Sequence, residues 1–340
     1  MKEIRLGVLG GGRMGWEHCR QIEETPGLEL RAVSSRSEDG RASVKERFRN
    51  VKVYSGHEEL LAADDVDWIV ITTFTNEHRK WALLGLEQGK NLVIEKPITL
   101  DAAEAEEIFA AAEKHGLTVT VHQNRRWDRD FELVKKVLAD GLLGDVYRIE
   151  SRVCYFSDAW AGWGAEGMRN PWRLKKEYGG GILSDWGSHL FDQLVTGVSD
   201  RPAHVYGRTE SRIWSEEVED HFYADLRFED GRSAWVEASN NHGLPLPRWV
   251  LVGTEGTLQV PGGIPEEWTS AVITRKYGDF DRRETIDISQ DEFSPGFYTD
   301  FQNNVAAGKS PQVAGEEVIL VSKIIDAVRE SSATGRAVKL

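Results

Sequence analysis

The sequence predicts an α/β Rossmann domain, built on a doubly wound parallel sheet, followed by an α+β domain with a mostly antiparallel sheet. Three observations carry that expectation. Short apolar runs alternate with helix-length segments up to about residue 122; a Gly-x-Gly-x-x-Gly stands between the first run and the first helix; and beyond about residue 145 the texture changes to long alternating runs. The length of 340 residues suits two domains. We expect them at 1–122 and 123–340, with the C-terminal helices packing back on the first.

The elements follow in order. Ile4 to Leu9 is an apolar strand ended by glycines, and Arg13 to Glu24 has helical spacing before Pro26 and Gly27. Further strand-helix pairs are Leu28 to Ser34 with Glu38 to Phe48, Trp68 to Thr72 with Glu77 to Gln88, and Leu92 to Glu95 with Ala102 to His115; Leu117 to His122 closes the series. Gly89 and Gly116 stand where helix C-caps are expected, and Asp101 with Glu104 reads as a capping box. The later alternating runs include Val146 to Phe156, Val205 to Ile213, His221 to Phe228 and Ser233 to Ser239, with Asp230-Gly231 as a two-residue hairpin signal. The tail returns to helix over Phe297 to Ala307 and Glu316 to Ser331.

Composition narrows the function. With 42 Lys and Arg against 56 Asp and Glu, the net charge of -14 repels nucleic acid and anionic lipid, so any anionic ligand must be captured by local groups. No apolar stretch approaches the roughly 20 residues of a membrane span, and no apolar signal region follows the N-terminus, so a cytoplasmic location is expected. Cys19 and Cys154 match no disulfide framework or metal-finger spacing, and no metal is expected.

Gly10, Gly12 and Gly15 sit in the strand-turn-helix context that dinucleotide binding requires: a tight turn, a close backbone approach to pyrophosphate, and helix-strand packing. The second strand then ends in Ser34, Ser35 and Arg36. It lacks the carboxylate that selects NAD, and its guanidinium and hydroxyls suit a 2′-phosphate, so NADP is expected, with NAD as the alternative. Lys96, in Glu95-Lys96-Pro97, follows a strand end, where ligands of parallel sheets bind, and its ammonium can stabilise alkoxide character during hydride transfer. After the Gly179-Gly180-Gly181 run, Trp186, Leu190 and Leu194 form the buried stripe of a helix; Asp185, His189 and Asp192 form the polar one. His189 beside Asp185 suits a general acid/base.

In this order, these motifs resemble the glucose-fructose oxidoreductase / inositol dehydrogenase (Gfo/Idh/MocA) family over essentially the whole chain, including Asn124-Arg125-Arg126-Trp127-Asp128 and the closing run through Ile325, Ser331 and Arg336. The resemblance implies an open-faced sheet in the second domain and a homodimer or homotetramer. It also implies hydride exchange between NAD(P) and a secondary alcohol of a sugar, inositol or related polyol, with Lys96, Asp185 and His189 catalytic. His189 would take the hydroxyl proton, Asp185 would orient the ring and Lys96 would bond the same oxygen. The family's TPNxxH reads Phe74-Thr75-Asn76-Glu77-His78, with the proline missing and Asn76 and His78 kept. The NRRWD stretch and Ser35-Arg36 look most like the NADP-dependent scyllo-inositol dehydrogenase branch, although Trp186 replaces that branch's leucine.

The expected cofactor contacts are Gly10, Gly12, Arg13, Met14, Gly15, Ser35, Arg36, Thr73, Phe74, Asn76, His78, Glu95, Lys96, Trp172 and Arg173. Those for substrate are Lys96, Asn124, Arg126, Trp127, Trp160, Asp185 and His189. Trp127, Trp160, Trp163, Trp172 and Trp186 cluster in sequence, which suits sugar faces stacking on indole, and the glycine-bearing loop from Ser157 to Arg173 is expected to contact substrate or act as a lid. Two other readings share the framework: a lyase or glycosidase that oxidises a sugar ring transiently, and a regulator that senses dinucleotide without turnover.

Overall fold

The computed structural model describes residues 3–157, 171–197, 201–263, 265–277, 280–289 and 295–340. The chain divides into two compact units, residues 1–123 with 295–319 and residues 124–294 with 320–340.

The first unit runs β1 (Ile4–Leu9), α1 (Arg13–Glu24), β2 (Leu28–Ser34), α2 (Glu38–Arg47), β3 (Lys52–Tyr54), α3 (His57–Leu61), β4 (Trp68–Ile71), α4 (Thr75–Glu87), β5 (Asn91–Ile94), α5 (Ala102–His115) and β6 (Val119–Val121). All six strands pair in parallel, in the order β3-β2-β1-β4-β5-β6. The order reverses between β1 and β4, which opens the crevice where such sheets bind ligands. The strands are short and nearly all apolar because helices cover both faces: Leu6, Val8, Leu9, Ile69, Val70, Ile71, Leu92, Val93 and Ile94 are fully buried. α1 buries Gly15, His18, Cys19 and Ile22, one stripe at helical spacing that includes a histidine.

The second unit contains α6 (Arg129–Ala139), β7 (Val146–Cys154), α7 (Ser188–Gly197), β8 (His204–Glu210), β9 (His221–Arg227), β10 (Ser233–Ser239), β11 (Trp249–Gly253), β12 (Gly256–Val260), β13 (Ser270–Tyr277) and β14 (Phe280–Asp287). With the terminal β15 (Val338–Lys339) they form a nine-stranded sheet, β14-β13-β12-β11-β7-β10-β9-β8-β15, antiparallel except where β7 meets β10. One sheet face is core: Ala234, Val236 and Ala238 are buried, as are Phe222, Ala224 and Leu226 opposite. The other carries half-exposed Trp235 stacked on Tyr223. α8 (Phe297–Ala306) belongs to the first unit, while α9 (Gly315–Thr334) starts there and continues in the second.

Two local expectations need correction. The β9–β10 turn is a three-residue loop: Phe228 N–H bonds Arg232 C=O, Gly231 N–H bonds Phe228 C=O, and Gly231 takes φ +88°. The segment after the triple glycine opens as a five-residue π-helical turn, Leu183–Gly187, before α7 begins. The capping box at α5 forms with a shifted partner: Asp101 accepts from Glu104 N–H, and Glu104 accepts from Leu100 N–H.

Candidate active site

In the first unit the cradle grows from the β1–α1 turn. Gly10 has φ +119°, and a Cβ there would lie 2.4 Å from Thr72 Oγ1, so the turn after β1 presses against the end of β4. A Cβ on Gly15 would lie 1.9 Å from the Gly10 carbonyl oxygen, which fixes how closely α1 approaches the turn. Gly12 differs from both: no atom lies within 4 Å of where its Cβ would stand. It caps α1 without a side chain, and the first turn, with Arg13 and Met14, holds no acidic residue. The N–H groups of such a turn lack intrahelical partners, so the open space beside Gly12 fits a pyrophosphate.

At the end of β2, Ser34 is buried with its Oγ 2.7 Å from His57 Nδ1, and Ser35 packs beneath Gly11 and Gly40. Arg36 is exposed, and its guanidinium meets both carboxylate oxygens of Glu77 at 2.9 Å. The backbone of this corner is gripped by Arg41, which donates to the Ser35 and Arg36 carbonyls. Any 2′-phosphate reaching Arg36 therefore meets Glu77, a competitor invisible in the local sequence.

Two of the expected cofactor residues, His78 and Glu95, are buried among protein partners. His78 is buried, with Nε2 3.1 Å from Thr73 C=O and Nδ1 3.2 and 3.1 Å from the Pro97 and Ile98 carbonyls; it ties the loop after β4 to the loop after β5. Burial pushes its pKa down, against the three carbonyl oxygens, which favour a ring with an N–H on both nitrogens. Counting the motif back from His78 puts Thr75, not Asn76, at the asparagine position: Thr75 is buried, whereas Asn76 is exposed beside exposed Phe74. Glu95 is buried as well; it meets His18 and His122 and accepts from the Lys96 N–H. Lys96 itself is half-buried just beyond β5.

In the second unit, the Asp185 side chain is 17% exposed and lies 3.9 Å from the Arg173 guanidinium. The triple glycine makes that approach possible: a Cβ on Gly180 would stand 2.2 Å from the Arg173 carbonyl, and Gly181 N–H bonds the same oxygen. His189, one turn on, is buried with its ring edge against Trp186. Trp186 donates its indole N–H to Tyr155 OH at 3.2 Å, and the Arg125 guanidinium lies 4.4 Å from the ring centroid. Burial pushes the Tyr155 phenol up to about 12, so it stays protonated.

Asp192 forms a buried two-bond pair with Arg126, at 2.8 and 2.6 Å. Asn124 is exposed, Trp127 is half-buried, and half-buried Trp172 carries the Arg173 guanidinium over its ring. Trp160, Trp163 and most of the 157–173 loop lie outside the described residues. Sequence reasoning missed Glu77, Arg125, Tyr155 and the His18/His122 pair, whose partners come from distant segments.

The comparisons agree with this architecture. Residues 4–123 match the oxidoreductase family with an NAD-binding Rossmann fold, and residues 131–259 match the GFO/IDH/MocA C-terminal domain. The chain belongs to the Gfo/Idh/MocA oxidoreductase family. It is 29% identical to the uncharacterized oxidoreductase YdgJ of Escherichia coli, over 97% of this chain and 96% of that protein. It is 26% identical to the scyllo-inositol 2-dehydrogenase (NADP(+)) IolW of Bacillus subtilis, over 99% and 96%. The crystal structure of an NAD-binding protein from Listeria innocua superposes with a TM-score of 0.87 at 30% identity, covering 99% of this chain and 97% of the other. Among the described residues, no helix is long and apolar enough to cross a membrane.

Proposed function

We propose that this family member is an NADP-preferring dehydrogenase or reductase acting on a secondary alcohol of an inositol, sugar or related polyol. The observation that carries the reading is the Asp185/His189 turn, in which a partly exposed carboxylate precedes a buried imidazole by four residues beside an indole wall. When bound, the nicotinamide supplies hydride acceptance or donation. In the oxidative direction His189 takes the hydroxyl proton and Asp185 orients the ring, while Lys96 donates to the oxygen as it gains negative charge. The Trp186 face suits the C–H face of a sugar or cyclitol. Arg36, without a neighbouring carboxylate on its own strand end, supports NADP, as does the similarity to an NADP-dependent relative.

Within the same proposal the protein works in the cytoplasm as a homodimer or homotetramer. The half-exposed sheet face with the Tyr223–Trp235 stack supports a self-association surface. A panel of inositols, hexoses and pentoses, scanned with both cofactors by nicotinamide absorbance, tests the substrate class. We expect turnover of a cyclic polyol or sugar that falls by roughly 10²–10⁴ in His189→Ala while cofactor affinity holds. Full activity of that variant from pH 6 to 9 would contradict the role given to His189.

A further inference from the structure

Behind the loop that carries Lys96 lies a buried polar cluster that the proposed chemistry does not use. Four elements of the first unit meet there. α1 supplies His18, the loop after β5 supplies Glu95, the residue after β6 is His122, and α8 supplies Tyr298. Both Glu95 oxygens are committed: Oε1 is 2.8 Å from His18 Nε2 and 2.8 Å from His122 Nδ1, and Oε2 accepts the Lys96 backbone N–H at 3.0 Å. Tyr298 OH lies 2.5 Å from His18 Nδ1.

The protons in this cluster can be assigned. Burial raises the Glu95 pKa, but the His122 and His18 partners outweigh it and hold the carboxyl well below its ordinary value. An ionised carboxylate only accepts, so both imidazoles turn an N–H toward it. Burial, followed by the neighbouring His122 ring, pushes the His18 pKa down, so one ring N–H faces Glu95 from Nε2 and Nδ1 is an acceptor. The Tyr298 phenol, pushed well above its ordinary value by burial, fills that acceptor. His122 Nε2 has no hydrogen-bond partner among the described residues and lies in an aromatic wall with Phe297. The three side chains also have the composition of a metal site, their facing ligand atoms lying within 4.8 Å of one another. However, both nitrogens stand at hydrogen-bond distance from the same oxygen, and protons account for each contact.

We propose that His18, His122 and Tyr298 are positioning residues for Lys96: they lock the Glu95 carboxylate, which holds the Lys96 N–H and thereby aims its side chain. The proposal rests on the reading of Lys96 as the donor to the reacting oxygen. The anchored nitrogen is bonded to the Cα from which the lysine side chain extends, so a loosened carboxylate shifts the base of the chain that carries the ammonium. A displacement of about 1 Å there costs on the order of 10²-fold in rate.

The test uses paired variants. In His18→Gln and His122→Asn the side-chain amide N–H replaces the imidazole N–H facing Glu95, whereas His18→Leu and His122→Leu delete it. In protein labelled with ¹⁵N-lysine, amide exchange of Lys96 is expected to quicken at least tenfold in the leucine variants and stay within about threefold of wild type in the amide variants. With scyllo-inositol and NADP as the probe pair, kcat is expected to fall about 10- to 100-fold in the leucine variants with KM little changed, and to recover in the amide variants. If the leucine variants do not fold, Tyr298→Phe carries the test, and its Lys96 exchange should quicken about fivefold. Unchanged Lys96 exchange in the leucine variants, or in Tyr298→Phe where it stands in for them, overturns the proposal, as do amide variants as impaired as the leucine ones. Full activity of Lys96→Ala would instead remove the role given to Lys96, while the exchange result still decides whether the cluster holds it.

Discussion

Arg36 shows how the place of a side chain can be legible in the sequence while its partner is not. Its position at the end of β2 is legible, but the Glu77 carboxylate facing it from α4 is 41 residues away and has no sequence signal. On the proposed role of Arg36, a 2′-phosphate would have to displace Glu77 or share the guanidinium with it, and the pair would then tune cofactor choice in both directions. Arg36→Ala should weaken NADP binding far more than NAD binding, whereas Glu77→Gln should strengthen NADP binding by roughly three- to tenfold and leave NAD nearly unchanged. Titration of both cofactors by calorimetry checks this, and equal losses for the two in Arg36→Ala would contradict the NADP assignment. The same limit applies to Arg126: its place in the NRRWD stretch is legible, but its buried Asp192 partner, 66 residues on, has no signal in the local sequence.

At the scale of elements, legibility tracked how local the determining physics is. Local signals marked α1 and α5 to the residue: α1 has a buried stripe opened by the glycine turn, and α5 has a buried stripe, the Asp101 N-cap and the left-handed Gly116 within one segment. β3 and α3 were not predicted: they are three and five residues long, too short for a period to register. The π-helical turn at Leu183–Gly187 escaped because both helical patterns place the same apolar residues inward over so short a span. The buried histidines His18 and His122 were invisible for the opposite reason, since nothing in either segment reveals a partner on another element. The glycines of the β1–α1 turn give this scale its test. Gly12→Ser should keep or slightly raise the melting temperature, because serine is a good N-cap and meets nothing, yet lower cofactor affinity at least tenfold. Gly15→Ala should lose about 1–3 kcal/mol of stability from the clash with the Gly10 carbonyl. Thermal unfolding and cofactor titration on the two variants separate a ligand-shaped gap from a packing constraint; a Gly12→Ser protein that binds cofactor normally would show the gap to be incidental.

The whole molecule couples this architecture to pH. His18, His57 and His78 of the first unit all have pKa values depressed chiefly by burial, so the unfolded chain takes up protons near pH 6.5 that the folded chain refuses. Stability from these groups is present above about pH 6.5 and is lost as the pH falls, by at most about 1.4 kcal/mol per pH unit for each imidazole. Asp128 works the other way. Burial, against the pull of Arg125, raises its carboxyl to about 6, so its contribution is present below about pH 4 and is lost as the pH rises through 6. Glu23, Glu219 and Asp300 are raised by burial as well, from ordinary values well below this window. The three imidazoles, whose ordinary value lies inside it, therefore dominate, and the melting temperature should drop between pH 7.5 and 5.5; a flat or rising profile would contradict the depressed imidazole pKa values. The central claim is that the chain couples net oxidation of a polyol to net reduction of a diffusible nicotinamide cofactor, and the direct test is stoichiometric. With the best alcohol of the panel and excess NADP, the moles of reduced cofactor released should equal the moles of ketone formed over many turnovers. Substrate consumed without accumulation of reduced cofactor would contradict the claim and identify a transient oxidation that regenerates its cofactor on the enzyme.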